Sequence, residues 1–334
     1  MLHLNPGSQP LPASGGRSAT LHDLKPSSDA FLDEVLHGLS ATPKAIPAKF
    51  FYDARGAELF EQICETPEYY PTRTEIAIMR DYADEMAQAI GADLVLIEFG
   101  SGSGRKTRIL LDALAPAAYL PIDISREQLI DSANAIAQEF PLVDVHAICA
   151  DYSNELVLPP LARLQTQRRV VYFPGSTIGN FTPTEARAFL QRTAQLAGPG
   201  GGLLIGVDLK KSPHLLNAAY NDAQGVTAAF NLNLLARINR ELGGDFDLGA
   251  FEHYAFYDQK LGRIEMHLRA RTAQKVTLAG RSFSFAKGET IHTENSCKYH
   301  IDEFSELASS SGWRAVKVWT DPAKLFSVHY FSVA

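Results

Sequence analysis

Two short stretches hold many of the residues whose chemistry could define this protein. The first is Glu98-Phe99-Gly100-Ser101-Gly102-Ser103-Gly104. Glycines at this spacing let the backbone approach a ligand, and a helix starting just after them presents its N-terminal amides to negative charge. The second is GETIHTENSCKYHIDEF, Gly288 to Phe304, which crowds His292, Glu294, Cys297 and His300 into nine positions. All four are metal-ligand types. The run reads equally as a working carboxylate with helpers, or as the polar edge of a strand.

A GxGxG loop is also a tight turn of many α/β proteins, so its surroundings decide. Asp123 closes the run YLPIDIS, twenty-five residues after Glu98, where a carboxylate can accept hydrogen bonds from ribose hydroxyls. Asp151-Tyr152 follows the next apolar run. A carboxylate there can receive an exocyclic amine and an aromatic can pack on adenine, although a plain turn residue is the alternative for Asp151. Arg105 stands where a dinucleotide site would have its third glycine. With an acidic residue two before the first glycine, the pattern fits S-adenosylmethionine better than a dinucleotide.

These groups need a scaffold, and the hydrophobic pattern supplies one. From Leu94 apolar strands alternate with helices: LVLIEF, RKTRILLDAL, YLPID, SREQLIDSANAIAQEF, DVHAICAD, RRVVYFPG, TPTEARAFLQRTAQL and GGLLIGVDL. Such alternation predicts a parallel sheet covered on both faces, with ligands beyond the carboxyl ends of the strands. The rhythm stops near Lys211. Residues 212–243 read as helical, strand-like runs follow up to TENSCKYH, and a helix and two closing strands end the chain. The simplest division is an α/β domain of 75–211 plus 300–334, interrupted by an insertion of 212–299 that covers the site. Upstream, SSDAFLDEVLHGLS carries Ser/Asp caps and helical apolar spacing, and one long helix is predicted from about Thr72 to Ile90. Residues 1–22, rich in Gly, Ser and Pro, are expected to form a mobile tail.

The totals narrow the function classes. The 334 residues, 46% hydrophobic and 21% charged, describe an ordinary soluble globular chain. A net charge of −7 without a Lys/Arg run argues against electrostatic nucleic-acid binding. Cys64, Cys149 and Cys297 are too few and too scattered for a disulfide framework or a CxxC site. No secretory signal and no bilayer-length apolar run is visible, so a cytoplasmic location is expected.

Strand alternation sorts the polar run. If Glu294 and Ser296 face one side, Thr293, Asn295 and Cys297 face the other, and His292 shares the Glu294 side. The supposed ligand set is then split, and no metal site is expected.

At this point the chain shows a family likeness. FFYDARGAELFEQICETPEYYPTR, EFGSGSGRKTRILL, YLPIDIS, FPGSTIGNF, AAYNDAQGVTAAFN and TENSCKY together resemble the histidine Nα-methyltransferases of ergothioneine biosynthesis, from about Phe31 to the end. The resemblance implies an α/β class I methyltransferase domain, with a Rossmann-like doubly wound sheet. It also implies a second, α+β substrate-binding domain made of 23–74 plus 212–299. The implied reaction is S-adenosylmethionine-dependent trimethylation of the α-amine of free L-histidine, giving hercynine. A methyltransferase of the same fold acting on another amino acid or on a histidine ring nitrogen is the alternative. Carried over by motif, Gly100, Gly102, Lys106, Asp123, Asp151 and Tyr152 would hold S-adenosylmethionine. Asn180 and Tyr220 would bind the histidine carboxylate, with Gly175 in the same string as Asn180. Tyr52, the expected catalytic residue, would lie beside the α-amine, Tyr69 near the imidazole and Phe60 alongside. Glu294 and Ser296 would hydrogen-bond the imidazole as a specificity clamp. Each has a plainer rival: Asn180 could cap the helix near Thr182, and the aromatics could be core. The expected partner is L-histidine, with no metal, nucleic acid or membrane, acting on a monomer.

Overall fold

The computed structural model describes residues 8–10, 18–24, 28–152, 156–161 and 167–334. The chain divides into two compact units: Met1–Lys25, Pro71–Leu209 and Tyr299–Ala334 in the first, Pro26–Tyr70 and Lys210–Lys298 in the second.

The first unit is built on a nine-stranded sheet. Its order is Ser8–Pro10, Thr20–Asp23, Asp144–Cys149, Ala118–Asp123, Leu94–Phe99, Arg168–Phe173, Gly202–Asp208, Phe326–Val333 and Trp313–Thr320. The strands from Thr20–Asp23 to Gly202–Asp208 pair in parallel, and the last two are antiparallel. LVLIEF is buried at every position because both faces are covered. Leu94 and Leu96 pack on one side with Leu110, Leu111 and Ile136, while Val95, Ile97 and Phe99 pack on the other with Phe189 and Phe304. The chain moves outward from Leu94–Phe99 through Ala118–Asp123 and Asp144–Cys149, then returns to Arg168–Phe173 on the opposite side. The order therefore reverses between Leu94–Phe99 and Arg168–Phe173, and the ends of these strands open the crevice where such sheets bind ligands.

Part of the expected tail differs. Thr20–Asp23 joins the sheet edge in register with His146–Cys149, and Ser8–Pro10 pairs with it. Ala19 and Leu21 are buried there, an apolar alternation too short to stand out from a Gly/Ser/Pro-rich composition. The remainder of that tail, 1–7 and 11–17, lies outside the described residues. The long helix also differs. It is two, Tyr70–Asp81 and Ala83–Ile90, separated at Tyr82, whose φ of −121° and ψ of 15° leave helical geometry, and Tyr82 packs against the core.

The second unit packs helices on a four-stranded sheet ordered Lys44–Ala45, Thr290–Cys297, Arg263–Ala270, Phe251–Asp258, with a separate hairpin of Gln274–Leu278 and Arg281–Phe285. The 212–243 segment resolves into helices Pro213–Ala219 and Val226–Leu242. Between them Asp222 accepts from the amides of Val226 and Thr227, both at 2.8 Å, and so caps the second helix. Against the sheet, Asn231 on this helix donates to the His267 carbonyl at 2.9 Å, and its amide oxygen accepts from Thr293 at 2.8 Å.

Candidate active site

In the first unit, the expected cofactor residues gather at the carboxyl ends of the parallel strands. Gly100, Gly102 and Gly104 all have positive φ, 71°, 47° and 68°, which L side chains adopt only with strain. A Cβ on Gly100 would lie 3.3 Å from the Tyr152 hydroxyl, whereas one on Gly102 would meet nothing within 4 Å. Inside this loop the Ser101 hydroxyl is buried with no hydrogen-bond partner among the described residues. Open space beside Gly102 and an unspent buried hydroxyl fit a loop built to receive a polar ligand.

Asp123 ties the loop to the next turn: its carboxylate accepts from Gly102 N at 3.1 Å and Ser125 N at 2.9 Å. Burial pushes its carboxyl up, opposed by these backbone amides. Tyr152 stands edge-on to Phe99 at 5.4 Å, and its hydroxyl is raised by burial, then by Asp123 and Asp151. Lys106 pairs with Glu75 at 2.6 Å, and the amide of Gly175 donates to both oxygens of the same carboxylate at 3.0 and 2.9 Å. Glu75 is fully buried, and a Cβ on Gly206 would sit 2.1 Å from its Oε1. Gly206 therefore makes room for the group that holds Lys106 and Gly175. Asn180 ends the one-turn helix Thr177–Asn180. The cap of the following helix is Thr182, with a complete capping box to Glu185, so Asn180 does not do that job.

Glu98 serves the scaffold. It accepts from Thr107 at 2.8 Å and Tyr119 at 2.5 Å, joining its strand to the following helix and to the neighbouring strand. Burial drives its carboxyl up to about 8, against the Tyr119 and Thr107 hydrogen bonds and the Lys106 charge.

Of the expected substrate residues, Gly175 and Asn180 belong to the first unit, and those of the second unit form one connected set. Tyr52 lies at the exit of the turn Ala48–Phe51 and just before Asp53, which caps helix Ala54–Glu65 through Gly56 N at 2.7 Å. Gly56 is required, because a Cβ there would fall 1.7 Å from the Phe51 carbonyl oxygen. Ring centroids run from Tyr52 to Phe60 at 5.8 Å, Phe60 to Tyr69 at 6.3 Å and Tyr69 to Tyr220 at 6.1 Å. The Tyr220 hydroxyl donates to Ser296 Oγ at 2.7 Å. Burial raises the Tyr69 hydroxyl well above its ordinary value, with Tyr220, Cys64, Glu294 and Tyr52 adding to the shift. Burial also lifts the Glu294 carboxyl to about 7, opposed by the Lys298 charge. Met266, opposite Glu294 in the sheet, is 1% exposed and belongs to the core.

Simple alternation fails in the TENSCKY strand. The ladder pairs Met266 with Glu294 and His267 with His292, leaving Thr293 as the extra residue of a bulge. The bulge moves His292 off the Glu294 side: its Nε2 lies 3.1 Å from Asn295 Oδ1, and its ring meets His267 edge-on at 5.1 Å. Thr293, in turn, is buried and bonded to Asn231 rather than sharing the Asn295 side. His300 belongs to the other unit, where its amide donates to Glu303 at 2.9 Å ahead of helix Ile301–Ser309. The four residues crowded in sequence are thus dispersed. A different group, Glu265, His267 and His292, brings ligand atoms within 4.8 Å of one another. Arg263 already donates to Glu265 Oε1 at 2.9 Å, and His267 lies 3.0 Å from Oε2, so the carboxylate is neutralised within the chain.

Sequence reasoning missed three residues of these clusters. Glu75 sits mid-helix with no local pattern. Phe230 fills the aromatic set, 5.9 Å from Tyr52 and 6.1 Å from Phe60. Lys298 stands inside the TENSCKY string, where nothing in its spacing marks it out.

Known proteins match this chain over most of its length. The model of a histidine-specific, SAM-dependent methyltransferase family matches residues 31–333. A histidine N-alpha-methyltransferase of Mycolicibacterium smegmatis is 46% identical, over 90% of this chain and 94% of that protein. One of Mycobacterium tuberculosis is 42% identical, over 88% and 92%. A 4-dimethylallyltryptophan N-methyltransferase of Epichloe festucae var. lolii is more distant, 30% identical over 88% and 92%.

Proposed function

We propose a function from one premise: the chain belongs to the family of histidine-specific, S-adenosylmethionine-dependent methyltransferases. It is an L-histidine Nα-methyltransferase that converts free histidine to hercynine with S-adenosylmethionine as methyl donor, on a class I methyltransferase fold.

The observation that carries the histidine reading is the buried polar set of the second unit, Tyr220, Ser296 and Lys298 beside Glu294, whose carboxyl titrates near neutrality. An imidazole presents one ring N–H and one bare ring nitrogen. Glu294 accepts from the N–H and Ser296 donates to the bare nitrogen. An indole lacks that second acceptor and would leave the Ser296 proton without a partner on the ring, so this set favours histidine over an acceptor like that of the Epichloe relative. The family likeness assigns the substrate carboxylate to Asn180 and Tyr220, and of these Tyr220 stands in the polar set.

Clamping both ends of histidine fixes the α-nitrogen between them, beside Tyr52. Transfer requires the neutral amine, its lone pair aimed at the methyl carbon at near-attack distance. When bound, S-adenosylmethionine supplies an electrophilic methyl on a positively charged sulfur. The Gly100–Gly104 loop, Asp123, Asp151, Tyr152 and Lys106 hold and orient it. The nitrogen's proton leaves to solvent or past the Tyr52 hydroxyl, with no obligatory base. The aromatic faces of Tyr52, Phe60 and Tyr69 accommodate the cationic product. Incubation with S-adenosylmethionine and each amino acid, read by product mass, is expected to give a gain of three methyl groups on histidine alone. Methylation of another amino acid at comparable kcat/KM would overturn the assignment.

A further inference from the structure

Lys298 is 2% exposed, yet it carries an ammonium group into the polar set of the second unit. Its Nζ donates to Ser296 Oγ at 2.8 Å and to Tyr220 Oη at 3.0 Å, and lies 5.0 Å from the centre of the Tyr220 ring. Its backbone is pinned as well, with its amide bonded to the Gly262 carbonyl at 2.8 Å. Ser296 and Tyr220 are themselves buried, at 4% and 7% exposure, so neither hydroxyl exchanges its partners freely with bulk water.

An ammonium has three donors and no acceptor, whereas a hydroxyl can act as either. By donating to both oxygens, Lys298 occupies acceptor positions and leaves each hydroxyl its own proton to give away. The Tyr220 hydroxyl donates its proton to Ser296 Oγ, 2.7 Å away. We propose that Lys298 is a positioning residue that polarises Ser296 and Tyr220 into donors, so that Ser296 donates to the bare ring nitrogen and Tyr220 to the carboxylate of histidine. This rests on the histidine reading above and adds to it the residue that sets the direction of the clamp. Without Lys298, Ser296 could point its proton at Tyr220 and present a lone pair to the ring, which would select against the bare nitrogen.

The test compares L-histidine with β-(2-thienyl)alanine, which has a similar ring size but no ring nitrogen to receive the Ser296 proton. The Lys298 variants are made in a Glu294→Gln background, which removes the carboxyl on which the Lys298 charge also acts. Wild-type protein is assayed first, and failure to methylate histidine would refute the parent function rather than this role. Lys298→Met removes the donors and is expected to raise the histidine KM about 10- to 100-fold with kcat within about threefold. The preference for histidine over the thienyl analogue, measured as a ratio of kcat/KM, should fall by a similar factor while the S-adenosylmethionine Kd stays unchanged. Lys298→Arg, also a pure donor, should keep most of the preference. A merely structural lysine predicts a lowered Tm and equal losses on both substrates. An unchanged preference ratio in Lys298→Met overturns the proposal. If that variant does not fold, Lys298→Gln takes its place, since its amide can donate or accept and should lower the ratio part-way; an unchanged ratio there overturns the proposal equally.

Discussion

Replacing Glu294 by glutamine keeps the size of the side chain and removes the group that titrates near neutrality. Burial lifts this carboxyl to about 7, so it is mostly protonated at pH 6 and mostly ionised at pH 8. A hydrogen bond to a charged acceptor contributes about 1.5–3 kcal/mol, against about 0.5–1.5 for a neutral one. The difference, about 1–1.5 kcal/mol, corresponds to roughly a tenfold change in KM. Above pH 7 the ionised carboxylate accepts the ring N–H of histidine, and the wild type should bind about tenfold better than Glu294→Gln. Below pH 7 that advantage should shrink toward one. Taking the ratio of the two proteins at each pH cancels the titration of histidine itself. Tyr69, which faces Glu294, holds its proton throughout this window. The assay is the initial rate against histidine concentration at pH 6, 7 and 8 with saturating S-adenosylmethionine, with methyl-donor Kd measured separately. A ratio independent of pH would refute the reasoning, and so would an equal loss of methyl-donor affinity.

Gly206→Ala should displace Glu75, whose Oε1 lies 2.1 Å from the added Cβ, and so loosen Lys106 and Gly175; calorimetry should show S-adenosylmethionine binding weakened about tenfold or more. Asn180→Ala should raise the histidine KM with little change in Tm. Thr182→Ala, two residues on, should instead cost about 1 kcal/mol of stability by urea unfolding, with KM unchanged, because Thr182 is the helix cap. Glu98 has its pKa raised from 4.5 to about 8 in the folded chain. The unfolded chain therefore releases this proton first, and stability falls as pH rises from about 4.5 to 8, by at most about 4 kcal/mol. Glu98→Gln should flatten that slope when urea midpoints are compared at pH 5 and pH 8.

Much of this protein was determined by local sequence. The alternation of buried runs such as LVLIEF with amphipathic helices dictates a parallel sheet, since only strands covered on both faces carry such continuous apolar residues. The glycine loop is legible because its positive φ values favour glycine, and the carboxylates of Asp123 and Asp151 follow at or just beyond strand ends by spacing alone. Likeness to a family then attached Tyr52, Tyr69, Tyr220, Glu294 and Ser296 to a substrate. Tertiary structure decided the rest. A single extra residue, Thr293, reset the facing of the TENSCKY strand, and a bulge depends on what the partner strand and the packed helix offer, here Met266 and Asn231. Glu75 acquired its role from a glycine 131 positions away, and Lys298 from two hydroxyls, of which Tyr220 lies 78 positions off. Such groups have no periodicity to betray them, because a buried charge is stabilised by whichever polar atoms the fold brings beside it. The polar run that suggested a metal site in sequence is, in space, a carboxylate and a hydroxyl on one face of a strand and a histidine on the other.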